Sequence, residues 1–174
     1  MNKIRLTAVG MILAVGLMSG ASAADLARAD RKFLEAAAEA EMFEIGAGKV
    51  AVQNAQAAEV KAFAQMMIAD HTRVDGELKA LAASKGFTLP TEFPRGLRKD
   101  LEALTQKAGA EFDHDYAENV AVDAHEEVYE LYKDAVEDLK DADIKAFAWK
   151  TLPGLQAHLE QGRALETAVD SMKK

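Results

Sequence analysis

Three features of this 174-residue chain predict an all-α fold of two antiparallel helical hairpins. The composition is 49% hydrophobic and rich in alanine, with 11 glycines, three prolines and almost no Val/Ile/Thr alternation, which argues against a sheet. Apolar residues recur instead at spacings of three and four, the period of one helix face. Third, one stretch is written twice. Glu59-Val60-Lys61-Ala62-Phe63-Ala64, followed by Asp70-His71, returns as Asp143-Ile144-Lys145-Ala146-Phe147-Ala148, followed by His158. Each copy reads as the start and middle of one long helix.

Residues 1–23 read as a signal peptide. Lys3 and Arg5 form a short basic region, Leu6 to Met18 an apolar run, and Ala21-Ser22-Ala23 a small-residue cleavage pattern. The run is short for a membrane span, which needs roughly 20 apolar residues. Cleavage after Ala23 would leave 24–174 as a single domain, long enough for a real core. The expected compartment is the periplasm, with secretion or outer-membrane association as lesser alternatives. No cysteine is present, so lipoprotein anchoring and disulfide or thiol chemistry are not expected. The remaining 19 Lys and Arg against 29 Asp and Glu give a balance of −10 once Lys3 and Arg5 are removed. That acidity opposes nucleic acid or anionic lipid as a partner and suits a protein that handles cations, although solvated helix faces alone also explain it.

The first helix is expected from about Leu26 to Gln53, with Phe33, Ala37, Ala40, Glu44, Ala47 and Ala51 on one inward stripe. Glu44 is the odd member of that apolar face, and Glu41, nearly one turn earlier, shares it if the stripe drifts. Asn54 to Ala58 reads as a tight turn without a glycine or proline to mark it. The second helix, about Ala58 to Lys85, turns Val60, Ala64, Met67, His71, Val74, Leu78 and Leu81 inward, with Asp70 pointing sideways. Gly86 stands where a helix-terminating glycine is favoured.

The composition shifts from Phe87, with Pro90 and Pro94 ahead of a short amphipathic helix at Leu97 to Lys107. The connection from Gly86 to Ala108 is too long for a hairpin turn and long enough to run the length of a bundle, as in ferritin-like four-helix folds. The third helix, about Ala110 to Leu139, presents Phe112, Tyr116, Val122, His125, Tyr129, Tyr132 and Val136. The fourth, about Asp143 to Met172, presents Ile144, Phe147, Thr151, Leu155, His158, Leu165 and Val169, with Pro153 expected to kink it.

Depth decides whether the polar members of these stripes can meet. Counted from a turn near residue 56, Glu44 lies 12 residues before and His71 15 after, a mismatch of about 4.5 Å along the axis. Counted from residue 141, His125 lies 16 before and His158 17 after, a mismatch of about 1.5 Å. Counted from the repeated Phe63 and Phe147, Glu44 pairs with His125 and His71 with His158, each offset growing by three. One polar side chain from each helix is thus expected at one level of the interior.

Three imidazoles and a carboxylate in an apolar interior are costly unless paired, and one divalent cation satisfies them together. Glu44, His71, His125 and His158 are therefore the candidate metal ligands, for tetrahedral Zn²⁺ or for Fe²⁺, Mn²⁺ or Cu²⁺ with added water. The bland alternative is a core of hydrogen-bonded histidines with Glu44 paired to one of them. His114 lies off the stripe and is expected at the surface. Tyr116 and Met67 are candidates to stand near the site, or to be packing alone.

At these positions the chain resembles an uncharacterised ferritin-like family of bacterial exported proteins, often labelled predicted outer-membrane proteins of unknown function. The resemblance rests on Asp30-Arg31-x-Phe33, Glu44 with Gly48-Lys49-x-Ala51, and Val60-Lys61-x-Phe63-Ala64-x-x-Met67 with Asp70-His71. Phe112-Asp113-x-x-Tyr116, His125, and Leu152-Pro153 with His158-Leu159 complete it. It implies a ferritin-like bundle in the periplasm and supplies no activity. One departure from the di-iron ferritins is plain. Their Glu-x-x-His motif would need an acid three residues before a histidine, where Ile68, Val122 and Leu155 stand, so a mononuclear site is expected rather than a dinuclear one. Two functions remain open: metal buffering or simple redox chemistry, and a non-catalytic helical binding module of the envelope, with homo-oligomerisation possible in either. No Ser/His/Asp set, phosphate loop or paired-acid motif points to hydrolytic chemistry.

Overall fold

The computed structural model describes residues 26–172, so the expected signal peptide lies outside the described residues. Among these residues the protein is all-helical: α1 (Arg28–Asn54), α2 (Ala58–Ser84), α3 (Arg95–Thr105), α4 (Gly109–Asp115), a π-helical segment (Tyr116–Ala124), α5 (His125–Asp138) and α6 (Ala142–Met172). The π segment joins α4 to α5 without a break, giving four long rods and the short α3. Pro153 lies inside α6, whose helical assignment continues through it.

The first turn needs no glycine because a distant carboxylate holds it. Buried Asp113 of α4 accepts hydrogen bonds from the Gln56 and Ala57 amides at 2.9 and 2.8 Å. Asp30 of α1, also buried, does the same for the other turn, accepting from Lys140 and Asp141 at 2.9 and 3.3 Å. Each pair of rods thus fixes the turn of the other, which satisfies backbone donors that burial would leave unpaired. Asp141 in addition caps α6, accepting from Asp143 and Ile144 at 3.0 and 3.1 Å. Gly86, with φ of +65°, ends α2 in the expected manner: Phe87 donates to Ala82 and Gly86 to Ala83.

The π segment is a departure from the expected uniform third helix. Asp30 precedes Phe63 by 33 residues, and Asp113 precedes Phe147 by 34. The two turns are equally long, so the extra residue falls within the rod, where the wider π register takes it up. Val120, Ala121 and Val122 are all buried within the π segment, and beyond it the buried stripe runs through His125, Val128, Tyr132 and Ala135. Tyr129 and Val136, expected inward, are only half-buried.

The core is divided. One apolar cluster gathers Phe33, Leu34, Leu78, Tyr132, Ile144 and Phe147, and the other gathers Ala51, Phe63, Met67, Phe112, Tyr116 and Leu165. Fully buried leucines such as Leu34 and Leu78 contribute about 1.5–3 kcal/mol each. In every long rod the chain passes from one cluster to the other through a buried polar residue: Glu41 and Glu44, His71, His125, and His158.

Candidate metal centre

The polar layer between the two clusters brings three rings together. His71 of α2, His125 at the start of α5 and His158 of α6 are 2%, 0% and 8% exposed. Their ring centroids lie 5.6 Å apart for 71–125, 5.3 Å for 71–158 and 5.6 Å for 125–158. One ring nitrogen from each lies within 4.8 Å of the other two. Zinc–nitrogen bonds of about 2.0–2.1 Å put neighbouring tetrahedral ligands about 3.4 Å apart, so small ring movements reach a ligating arrangement.

Each ring is held through one nitrogen. His125 Nδ1 is 2.9 Å from the Val120 carbonyl, which can only accept, so this nitrogen donates and Nε2 is left with its lone pair. That carbonyl belongs to the π segment, five residues before the ring, while the His125 amide bonds to Val122. His158 Nε2 donates to Asp70 Oδ2 at 3.1 Å, leaving Nδ1 bare. His71 Nδ1 meets Glu41 Oε2 at 2.9 Å. His71 Nε2, His125 Nε2 and His158 Nδ1 make no hydrogen bond. An imidazole oriented by a carboxylate or carbonyl behind it is the usual arrangement of a metal ligand.

Burial keeps the His71 and His158 rings neutral. Burial lowers the His71 pKa to about 4 against the opposing pull of Glu44, and burial lowers His158 to about 4 despite its bond to Asp70. Glu41 moves the other way, raised by burial and then by Asp75 to about 8. At neutral pH the Glu41–His71 contact therefore holds a proton on the carboxyl. A cation at His71 Nε2 would require that proton on Nδ1 instead, facing a Glu41 carboxylate.

Of the four ligands expected from the sequence, the structure gathers the histidines. Glu44 is buried beside them, its Oε1 3.6 Å from His125 Nδ1, the nitrogen that the Val120 carbonyl holds. Neither Glu44 oxygen makes a hydrogen bond. Tyr116 stands close enough that Glu44, after burial, raises its hydroxyl well above the usual phenol range. Tyr132 is raised likewise by burial and then by Glu41, which its hydroxyl faces without ordinary hydrogen-bond geometry. Met67 packs in the second apolar cluster, and His114 is half-buried against Asp170 at 3.2 Å, apart from the group.

Three positioning groups were not expected: Glu41 as His71's partner, Asp70 as His158's, and the Val120 carbonyl. The repeat contains the signal for the first. Glu41 and His125 both lie 22 residues before their phenylalanine, so the equal offset belongs to Glu41 rather than Glu44. Asp70 is marked only by adjacency to His71, and a backbone carbonyl has no mark in the sequence.

A family profile described as Domain of unknown function (DUF4142) matches residues 16–165. No curated protein and no solved structure matches the chain.

Proposed function

The chain belongs to the family described as Domain of unknown function (DUF4142), and we propose that this member is an exported, ferritin-like four-helix bundle that binds one divalent transition metal. The ligands are His71, His125 and His158, and the ion is Zn²⁺, Fe²⁺, Cu²⁺ or Mn²⁺. The observation that carries this reading is that three buried rings, each held through one nitrogen and without a hydrogen bond at the other, bring one ring nitrogen apiece within 4.8 Å of one another. Glu44, buried beside His125, is the candidate for a fourth position, which water would fill otherwise. With no Glu-x-x-His pair the site is mononuclear, suited to metal buffering or to simple redox chemistry when the ion is iron, copper or manganese.

Titration of chelator-stripped protein with Zn²⁺ tests this. A ligand held only by the folded state adds about 2.7 kcal/mol at one hundred times its Kd. For a domain of this size that raises the Tm by roughly 5–11 °C. An unchanged Tm at millimolar Zn²⁺ rejects the site.

A second reading, a non-catalytic envelope binding module with a structural polar layer, draws support from the Glu41–His71 and Asp70–His158 contacts, which already pair Glu41, His71 and His158 without an ion. It predicts that the layer specifies the packing of the rods and that cations leave the protein unchanged.

A further inference from the structure

A cleft of about 680 Å³ opens between α1, α3 and the π segment. Its walls carry six carboxylates, among them Glu39, Asp100, Asp123 and Glu127, against one ammonium, Lys107, which is paired to Asp115. Two of its lining residues also touch the histidine layer. Val120 gives its carbonyl to His125, and Glu44 places a carboxylate oxygen 3.6 Å from the same ring. Glu44 is 1% exposed, and neither of its oxygens makes a hydrogen bond. A buried carboxylate without such a bond is costly unless a cation visits it. The outer wall is α3, seated on α1 through Leu101, whose Cδ2 is 3.2 Å from where a Cβ on Gly46 would stand.

We propose that this cleft is the route by which the metal ion reaches the histidines, with Glu44 as the carboxylate that receives it from the cleft and passes it on. The proposal rests on the metal-binding reading above. A cleft lined by one sign of charge with apolar walls focuses its field and concentrates the opposite charge. The direct alternative is entry at Asp70, which is 42% exposed and meets His158 Nε2 at 3.1 Å.

Stopped-flow uptake of Co²⁺ by the stripped protein separates the two. The triple variant Asp100→Asn/Asp123→Asn/Glu127→Gln should take up one ion per chain, as the wild type does, with an on-rate about tenfold lower at low salt and a flatter dependence on ionic strength. Glu44→Gln should slow uptake at high salt as well, because it removes a step rather than a field. The control Glu126→Gln/Glu130→Gln/Glu160→Gln removes the same charge from the cleft between α5 and α6 and should leave the on-rate within twofold. Equal slowing in both triple variants reduces the effect to net charge and overturns the route. Full stoichiometry with unaltered rates in the first triple variant overturns it also, while sparing the metal site. Wild-type protein that takes up no Co²⁺ removes both.

Discussion

Gly162→Ala is the substitution for which the structure predicts most from least chemistry. A Cβ on Gly162 would stand 2.0 Å from the Ala121 carbonyl oxygen, 2.7 Å from its carbon and 3.3 Å from its Cβ. An ordinary carbon–oxygen contact is about 3.2 Å, so α6 and the π segment must part by about 1.2 Å, and both contacting groups are helix backbone that cannot rotate away. Such overpacking costs about 1–3 kcal/mol. The displaced segment includes Val120, whose bond to His125 is worth about 0.5–1.5 kcal/mol more. Against this, alanine is favoured over glycine within a helix by about 1 kcal/mol. The net loss is about 0.5–3.5 kcal/mol, a fall in Tm of roughly 1–14 °C, and metal affinity should drop about 10- to 100-fold as His125 loses its support. Thermal melts and Zn²⁺ titration of the variant measure both. A variant that melts at or above the wild-type temperature would follow helix propensity alone and refute the close approach.

The other predictions concern the turns and the protons. Asp113→Ala removes the acceptor for two amides at the α1–α2 turn and should cost about 2–4 kcal/mol by chemical denaturation, whereas Glu59→Ala, an exposed neighbour, should cost under about 0.5. Metal-free protein should be most stable near pH 6.5. Below it the unfolded chain protonates two imidazoles whose folded pKa values are about 4, so stability falls as pH falls. Above it the folded chain keeps the Glu41 proton that the unfolded chain has lost, so stability falls as pH rises toward about 8. Each limb changes by about 1.4 kcal/mol per pH unit, one net proton apiece. Melting temperatures from pH 5 to 8 that rise monotonically would contradict this. Zn²⁺ binding should release one proton below pH 8, the Glu41 proton passing to His71 Nδ1 as the Nε2 proton leaves, read by calorimetry in buffers of different ionisation enthalpy, and Glu41→Gln should abolish that release while weakening affinity about 10- to 100-fold.

Much of the fold was legible because local signals agreed with it. Helical spacing, Gly86 and the proline-flanked connection placed the long rods, the end of α2 and the short α3. The three histidines were legible for the same reason: on apolar stripes they stood out as polar, and depth counted from the turns put them at one level. The rest depended on long-range geometry. The first turn lacks a marker of its own because Asp113, more than fifty residues away, supplies its hydrogen bonds. The π segment shows only as one surplus residue between Asp113 and Phe147, and without it the stripe through Tyr129 and Val136 looked continuous. Glu41 and Glu44 sit nearly one turn apart on the same face, both buried. Periodicity cannot choose between them, and the choice is made by the His71 ring reaching Glu41 at 2.9 Å.

The central claim is that an ion joins His71, His125 and His158, and the most direct test is elemental analysis of the protein purified from its native compartment without added metal. Near-stoichiometric transition metal is expected in the wild type, with loss of the ion in His125→Ala and His158→Ala and a lowered content in Glu44→Ala. Wild-type protein that emerges metal-free, and keeps its Tm both in chelator and on addition of Zn²⁺, Fe²⁺, Cu²⁺ or Mn²⁺, would contradict the account.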